Sequence, residues 1–413
     1  MALAALVDDV LGSDLPLAVE AYDGSRSGPE DAPATMVLHS PDALRRIVTA
    51  PGELGLARAY VSGDLELKGS IWALLELRDR MPDVRLEPKM MLRLVRELGG
   101  WRQVRPVPPP PEEAHLRGRR HSKARDAAAI SHHYDVSNAF YRLVLGPSLT
   151  YSCAVFHDPN DTLEEAQANK HELICRKLDL QPGMRLLDVG CGWGGMVMHA
   201  AQHHGVQAVG ITISKRQAEL AEKRVAEAGL SDQVQIRVQD YREVADGPYD
   251  GVSSIGMFEH VGEARLAEYF DCLRGLVRPE GRLLNHGISR PARTEKARLP
   301  RRSFINRYVF PDGELHELGR VVSITQDAGF EVRHVESLRE HYALTLRRWV
   351  ANLEEHWDEA VADVGAPRAR VWRLYMAGSA TGFEAGRTQV HQVLSVPRED
   401  DGHAGLPLRP AFE

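Results

Sequence analysis

The chain has 413 residues, 43% of them hydrophobic and 26% charged, and a net charge of −7. Such a composition belongs to an ordinary globular protein of one large domain or two, and its sign excludes bulk nucleic-acid binding. The four cysteines, Cys153, Cys175, Cys191 and Cys272, are scattered without a CxxC pair. That predicts neither a disulfide framework nor a metal site, and suits a reducing compartment.

No run of about 18 apolar residues is present to span a membrane. Asp8 and Asp9, with no basic n-region, make the N-terminus unlike a signal peptide. Residues 1–104 read as a first, smaller domain. Short strands are expected over 36–39 and 65–68, and a short helix over 55–64. Further helices are expected over 71–80 and 89–98, parted by Pro82 and Pro88. Nothing in this stretch points to catalysis; packing or docking is the expected role. Residues 105–130 read as a linker. Its proline run, RPVPPPPEE, cannot form a helix or a central strand and should be stiff and extended. Arg117, Arg119, Arg120, Lys123 and Arg125 follow. They form either a solvated charged face or a contact for anionic head groups, at up to about 1 kcal/mol each.

From residue 131 the pattern changes. A turn leading into an amphipathic helix is expected over 131–145. Thr162 and Glu165 have the spacing of a capping box and open a helix to about residue 178, which Gln181-Pro182-Gly183 stops. Strands over 184–189, 207–211, 234–238, 249–255 and 281–286 then alternate with helices over 196–203, 215–228 and 263–277. Ser214 and Gln217 are spaced as a second capping box. Repeated units of this length imply a parallel, doubly wound sheet whose ligand lies at the carboxyl ends of the strands.

After the fifth strand comes a second basic loop, 289–303, with Arg290, Arg293, Lys296, Arg298, Arg301 and Arg302. A sixth strand is expected over 331–337. Two helices, 344–364 and 368–384, carry Trp349, Trp357, Trp372, Tyr375 and Phe383. A last strand, 390–396, closes the sheet, and 397–413 reads as a disordered tail.

The turn LLDVGCGWGG at 186–195 is the candidate ligand site. Gly190 and Gly192 allow a sharp turn and a close backbone approach. A dinucleotide site needs an acid after the second strand, but the chain has Thr212-Ile213-Ser214 there; a P-loop needs Lys-Ser/Thr, which the turn lacks. An adenosyl ligand without polyphosphate remains, and S-adenosylmethionine fits. Asp240, after the third strand, can accept from an adenine amino group. Thr212 and Gln217 can reach ribose hydroxyls, although helix capping explains them equally.

Taken together, 186–195, GITIS at 210–214, QDYR at 239–242, GMFEHVG at 256–262 and INRYVFPDG at 305–313 resemble the cyclopropane fatty acid synthase family. Tyr134-Asp135, Asn138 and Tyr151-Ser152-Cys153 match upstream, so the resemblance covers about 131–396. It implies a class I S-adenosylmethionine methyltransferase domain over those residues, an α/β, Rossmann-like fold with a mixed seven-stranded sheet and helical lid insertions. The smaller N-terminal domain would be lipid-associated. The implied reaction is methyl(ene) transfer to the double bond of an unsaturated phospholipid acyl chain, giving a cyclopropane or a 10-methylene product.

The implied donor-binding residues are Tyr151, Ser152, Asp188, Gly190, Gly192, Trp193, Thr212, Ile213, Gln217, Asp240 and Tyr241. The implied base is a bound bicarbonate, held by Cys153, Glu259, His286, the backbone of Ile288, and Tyr342, with Glu259 taking up its proton. Phe304, Tyr308 and Tyr342 offer aromatic faces for a carbocation. The expected location is cytoplasmic, on the inner face of an anionic membrane, as a homodimer and with a reductase partner if the product is a methylene. Two rival readings are a small-molecule N- or O-methyltransferase and a non-catalytic S-adenosylmethionine- or lipid-binding protein. Against an amine acceptor, the fourth strand is followed by Met257-Phe258-Glu259-His260 rather than Asn/Asp-Pro-Pro-aromatic.

Overall fold

The computed structural model describes residues 2–11, 17–77, 92–93, 95–96, 99–100, 105–114, 136–292, 303–311 and 313–412. The helix expected over 89–98 (apart from four residues), the cations of 115–125, Tyr134, Asp135 and residues 293–302 of the second basic loop lie outside them. Two units form. One joins Met1–Leu116, Pro300–Pro311 and Leu353–Thr381; the other joins Arg117–Leu299, Asp312–Asn352 and Gly382–Glu413. The division therefore does not follow the chain: two segments from the far side of the expected linker belong with the first unit.

In the first unit, strands β1 (Leu17–Ala21), β2 (Arg26–Ser27), β3 (Ala34–Leu38) and β4 (Leu65–Gly69) form a sheet in the order β2-β1-β3-β4. Helices Leu3–Leu11, Pro41–Thr49, Glu53–Ser62 and Ile71–Leu77 accompany it. Helix Pro41–Thr49 starts where it should, with Ser40 as N-cap accepting from the Asp42 amide and Pro41 in the first turn. The proline-rich stretch is tied to this unit. Arg46 Nη1 donates to Pro108 O at 2.7 Å, Arg58 forks onto buried Glu113 at 2.8 Å on each arm, and Ala114 N donates to Arg307 O at 2.7 Å. Phe304 and Tyr308 stack on each other here, with ring centroids 5.2 Å apart, and Tyr308 donates to Glu113.

The second unit holds the larger sheet: β5 (Arg185–Val189), β6 (Gln207–Thr212), β7 (Val234–Val238), β8 (Tyr249–Ile255), β9 (Val277–Arg290), β10 (His316–Glu317), β11 (Phe330–Ser337) and β12 (Gln389–Pro397). Their order is β11-β12-β9-β8-β5-β6-β7, with β10 pairing β9. The last strand does not close an edge. It enters between β9 and β11 and is antiparallel to both, which makes the sheet mixed.

Period-two alternation along β5 sends Leu186 to one core and Leu187 with Val189 to the other. Helices Leu163–Leu178, Gly195–His204 and Lys215–Glu227 cover the first face, and Leu266–Leu276 covers the second. Each fully buried Leu contributes about 2 kcal/mol. A strand anchored on both faces holds the turn at its carboxyl end in one place.

Several boundaries differ from the sequence reading. Two helices late in the chain are three, Arg339–Glu355, Trp357–Val364 and Ala366–Glu384, broken at His356 and at Gly365 with its φ of 80°. Ser214 caps its helix, but Gln217 does not return the bond; its Oε1 accepts from Thr212 instead. The tail expected to be disordered is described as far as residue 412, where Phe412 packs on His334 and Gly405 O accepts from Arg282. Helices Leu3–Leu11 and Leu318–Asp327 and strand β1 had no strong pattern and were not anticipated.

Candidate active site

Gly190, Gly192 and Gly194 all adopt positive φ (85°, 54° and 81°), a turn that residues with a Cβ resist. The turn ends β5 and starts helix Gly195–His204. A crevice opens over it. All eleven residues expected to hold the donor line this crevice: Tyr151, Ser152, Asp188, Gly190, Gly192, Trp193, Thr212, Ile213, Gln217, Asp240 and Tyr241. Trp193 is fixed by its Nε1 donating to Asn138 Oδ1 at 2.9 Å. Thr212 donates to Gln217 at 2.9 Å, and Arg242 Nε donates to Asp240 Oδ1 at 2.8 Å. The Asp240 carboxylate, expected to face an adenine amino group, is thus already forked by Arg242 Nε and Nη2.

None of the five candidate catalytic residues is part of the crevice lining. Two of them adjoin lining residues in the chain: Cys153 follows Ser152, and Glu259 precedes His260. Strand register gathers them. Glu259 Oε1 accepts from the Ile288 amide at 2.6 Å. Ile288 pairs with Val390, and Val390 O accepts from Leu338 N. Leu338 O in turn accepts from both the Tyr342 amide and the Cys153 thiol. His286 lies two residues before Ile288 on β9, on the same face. The backbone of Ile288, expected to help hold a bound anion, here gives its N–H to Glu259.

This buried group of side chains is short of hydrogen-bond partners. Glu259 Oε2, both ring nitrogens of His286, and Trp349 Nε1 are buried without one. Burial pushes the Glu259 carboxyl up to about 7, against the opposing pull of the Ile288 amide. Burial holds His286 well below its usual range, so its ring is neutral. It also pushes the Cys153 thiol far up, leaving it a neutral donor rather than a nucleophile. Rings flank the region: Tyr342 lies 6.0 Å from Trp349 and 4.7 Å from Phe383, and Tyr151 stacks on Trp349 at 5.3 Å. Of the three aromatic faces expected to shield a cation, Tyr342 belongs to this group, while Phe304 and Tyr308 are part of the first unit.

One close approach sets the position of Glu259. A Cβ on Gly287 would lie 1.9 Å from the Phe258 ring. Glycine there admits the fully buried Phe258 against β9 and brings the next residue, Glu259, onto the strand.

Sequence reading missed Lys170. Its side chain is buried, lines the crevice, and donates to Ser152 Oγ at 3.2 Å. Burial lowers its pKa to about 8, partly offset by the charge of Asp188. Asp188 is raised by burial to about 6 and accepts from Ser253 at 2.7 Å. A signal was available. Leu163, Ala166, Ile174 and Leu178 mark the apolar face of their helix, and Lys170 occupies a slot on that face.

Against known proteins, the family profile described as mycolic acid cyclopropane synthetase matches residues 121–393. A probable fatty acid methyltransferase of Mycobacterium tuberculosis is 50% identical over 409 residues, covering 96% of this chain and 95% of that protein. The tuberculostearic acid methyltransferase UfaA1 of the same species is 34% identical, covering 92% and 87%. Among solved structures, the mycolic acid cyclopropane synthase CmaA1 complexed with SAH and CTAB is 36% identical. It aligns with a TM-score of 0.61, over 65% of this chain and 97% of that one.

Proposed function

The chain belongs to the mycolic acid cyclopropane synthetase family, and from that premise we propose that it transfers a methyl(ene) carbon from S-adenosylmethionine to the double bond of an unsaturated phospholipid acyl chain. The product is a cyclopropane or a 10-methylene chain. The observation that carries this reading is the pairing of a crevice with a buried polar cluster. A crevice with all eleven donor residues lies beside a buried set of polar atoms, Glu259 Oε2 and both nitrogens of His286, that lack partners.

When bound, S-adenosylmethionine supplies a sulfonium methyl, an electrophile strong enough for a weakly nucleophilic alkene. The chain's own residues do the rest. The glycine turn and Asp188 hold the donor's amino-acid end, and Lys170 keeps Ser152 oriented toward it. Tyr342 and Trp349 present ring faces and edges that favour positive charge on the alkyl chain and exclude water.

The orphaned atoms also fit a small protic anion, and the bicarbonate implied by the family resemblance is of that kind. His286, Glu259 and the Tyr342 hydroxyl would hold it, and when bound it supplies a compact base. Glu259, poised near neutrality, holds or releases a proton at Oε2. The rivals are amine or hydroxyl methylation and ligand binding without turnover.

Among the described residues no helix is long and apolar enough to cross a membrane. Reaching a bilayer acyl chain therefore requires docking at the surface, for which the basic residues of 115–125 and 289–303 are candidates. Incubation with S-adenosylmethionine labelled on the methyl carbon and an oleoyl phospholipid tests the reading. NMR of the recovered acyl chain should place the label in a cyclopropane or methylene carbon. Label found only on an added amine or hydroxyl acceptor would sink it.

A further inference from the structure

A second polar cluster lies away from the chemistry, where helix Leu163–Leu178 packs against helix Gly195–His204. Ligand-capable atoms of Cys175, His199 and His204 all lie within 4.8 Å of one another. Glu172 Oε2 stands 3.3 Å from His199 Nε2 and 3.0 Å from His204 Nε2. The opposite oxygen, Oε1, is held by Arg176 at 2.8 Å, which turns Oε2 toward the imidazoles. His204 Nδ1 faces the Leu180 carbonyl at 3.3 Å. A proton donated there leaves the Nε2 lone pair pointing at a carboxylate oxygen. Two acceptors at that distance repel unless a proton or a cation sits between them.

We propose that Cys175, His199, His204 and Glu172 form a binding site for a zinc-type divalent cation. One thiolate, two imidazoles and a carboxylate are a tetrahedral zinc donor set, and hard cations such as magnesium prefer oxygen alone. The tie from an imidazole to a backbone carbonyl is the outer support that metal-ligating histidines use. Tetrahedral bonds of about 2.0–2.3 Å put ligand atoms roughly 3.3–3.8 Å apart. The atoms of Cys175, His199 and His204 therefore have to draw in by about 1 Å, with Glu172 already beside the two imidazoles, and side-chain rotation on two facing helices can provide this. Cys175 is buried, while His199 and His204 keep partial exposure, so an ion can enter from solvent. The spacing explains why cysteine pairs gave no hint of it. The ligands come as Glu172-x-x-Cys175 on one helix and His199 with His204 on the next.

The metal would act as a staple and take no part in the transfer. One of its helices carries Lys170, and the other begins at the donor turn. Two bonds across the pair would hold both walls of the crevice at a fixed distance.

The test uses the full-length chain, stripped with a chelator and titrated with Zn2+, then separately with Co2+. About one Zn2+ per chain should remain after gel filtration. Co2+ should give the strong visible bands of a tetrahedral site together with a thiolate charge-transfer band. His204→Gln and Cys175→Ser should each weaken Zn2+ binding at least about 100-fold. Cys272→Ser, outside the cluster, should not weaken it. His204 is partly exposed, so a His204→Gln chain that still binds S-adenosylhomocysteine but has lost Zn2+ separates metal loss from unfolding. Zn2+ well below one per chain, or equal Zn2+ affinity in wild type and both variants, would overturn the site.

Discussion

The donor crevice and the pocket around Glu259 and His286 are built by opposite means. The crevice is assembled from strand ends and turns, and its polar side chains already have partners: Thr212 with Gln217, Asp240 with Arg242, Asp188 with Ser253. The second pocket is assembled by register across β9, β12 and the residue after β11, and it buries polar atoms that have none. A satisfied network stabilises the fold whether or not a ligand is bound. Unsatisfied buried groups cost about 1–3 kcal/mol each. That cost fits a place where a proton must change hands, and the two pockets should therefore respond to mutation in different ways.

The sharpest break is Glu259→Gln. Turnover should fall by about 10³-fold, the usual weight of an acid–base group, while the affinity for S-adenosylhomocysteine in calorimetry stays unchanged. The same variant should melt higher at alkaline pH. The folded pKa of Glu259 is raised to about 7. Whatever stability the neutral form brings is present at low pH and lost as pH rises through that value. Glutamine cannot ionise, so above pH 7 the variant should gain up to about 3 kcal/mol over wild type, and near pH 4 nothing. A stability difference between variant and wild type that is the same at both pH values would show that Glu259 is not strained by burial.

Next in size is Gly287→Ala. A Cβ 1.9 Å from the Phe258 ring forces the ring away or the strand to shift. Overpacking of this kind costs about 1–3 kcal/mol. The melting temperature should fall, and turnover should drop further than stability alone explains, because Phe258 carries Glu259. If turnover survives in the folded fraction, the close approach does not position the base.

Lys170→Met should lower kcat/KM by about 10–100-fold, or roughly 1.4–2.7 kcal/mol. It should also remove the alkaline limb that a lysine with pKa near 8 imposes. A loss in kcat/KM with that limb intact would assign the pKa to another group. The smallest effect is expected from Thr212→Val. It removes one hydrogen bond of a satisfied pair and should weaken donor binding by about 1 kcal/mol without changing kcat.

Much of the crevice was legible in the sequence because its chemistry is local. The Gly190-to-Gly194 turn, Thr212 at the end of β6 and Asp240 after β7 each sit where a strand stops, and strand ends are marked by a change of period. The base pocket was legible only through resemblance. Cys153 and Leu338 are 185 residues apart in sequence, and only the placement of β12 between β9 and β11 brings them together. No spacing rule carries that information.

The bond between Ile288 and Glu259 has the same origin. A family motif names the residue but cannot say that its amide is already taken by Glu259. Lys170 was overlooked because a helix face was counted as core without asking which of its residues carries a charge. The first unit was read least well. Its short elements have weak periodicity, and the proline stretch owes its fixed position to Arg46 and Arg58, residues far away in the chain.

The claim that donor binding and proton transfer belong to separate pockets is tested most directly by pH. Turnover of an unsaturated phospholipid and the Kd for S-adenosylmethionine should be measured on the same preparation from about pH 6 to about pH 7.5. The account predicts that kcat rises with pH through a limb near 7 as Glu259 ionises, that Glu259→Gln abolishes the limb, and that Kd stays flat. A flat kcat, or a Kd that follows the same limb, would contradict it.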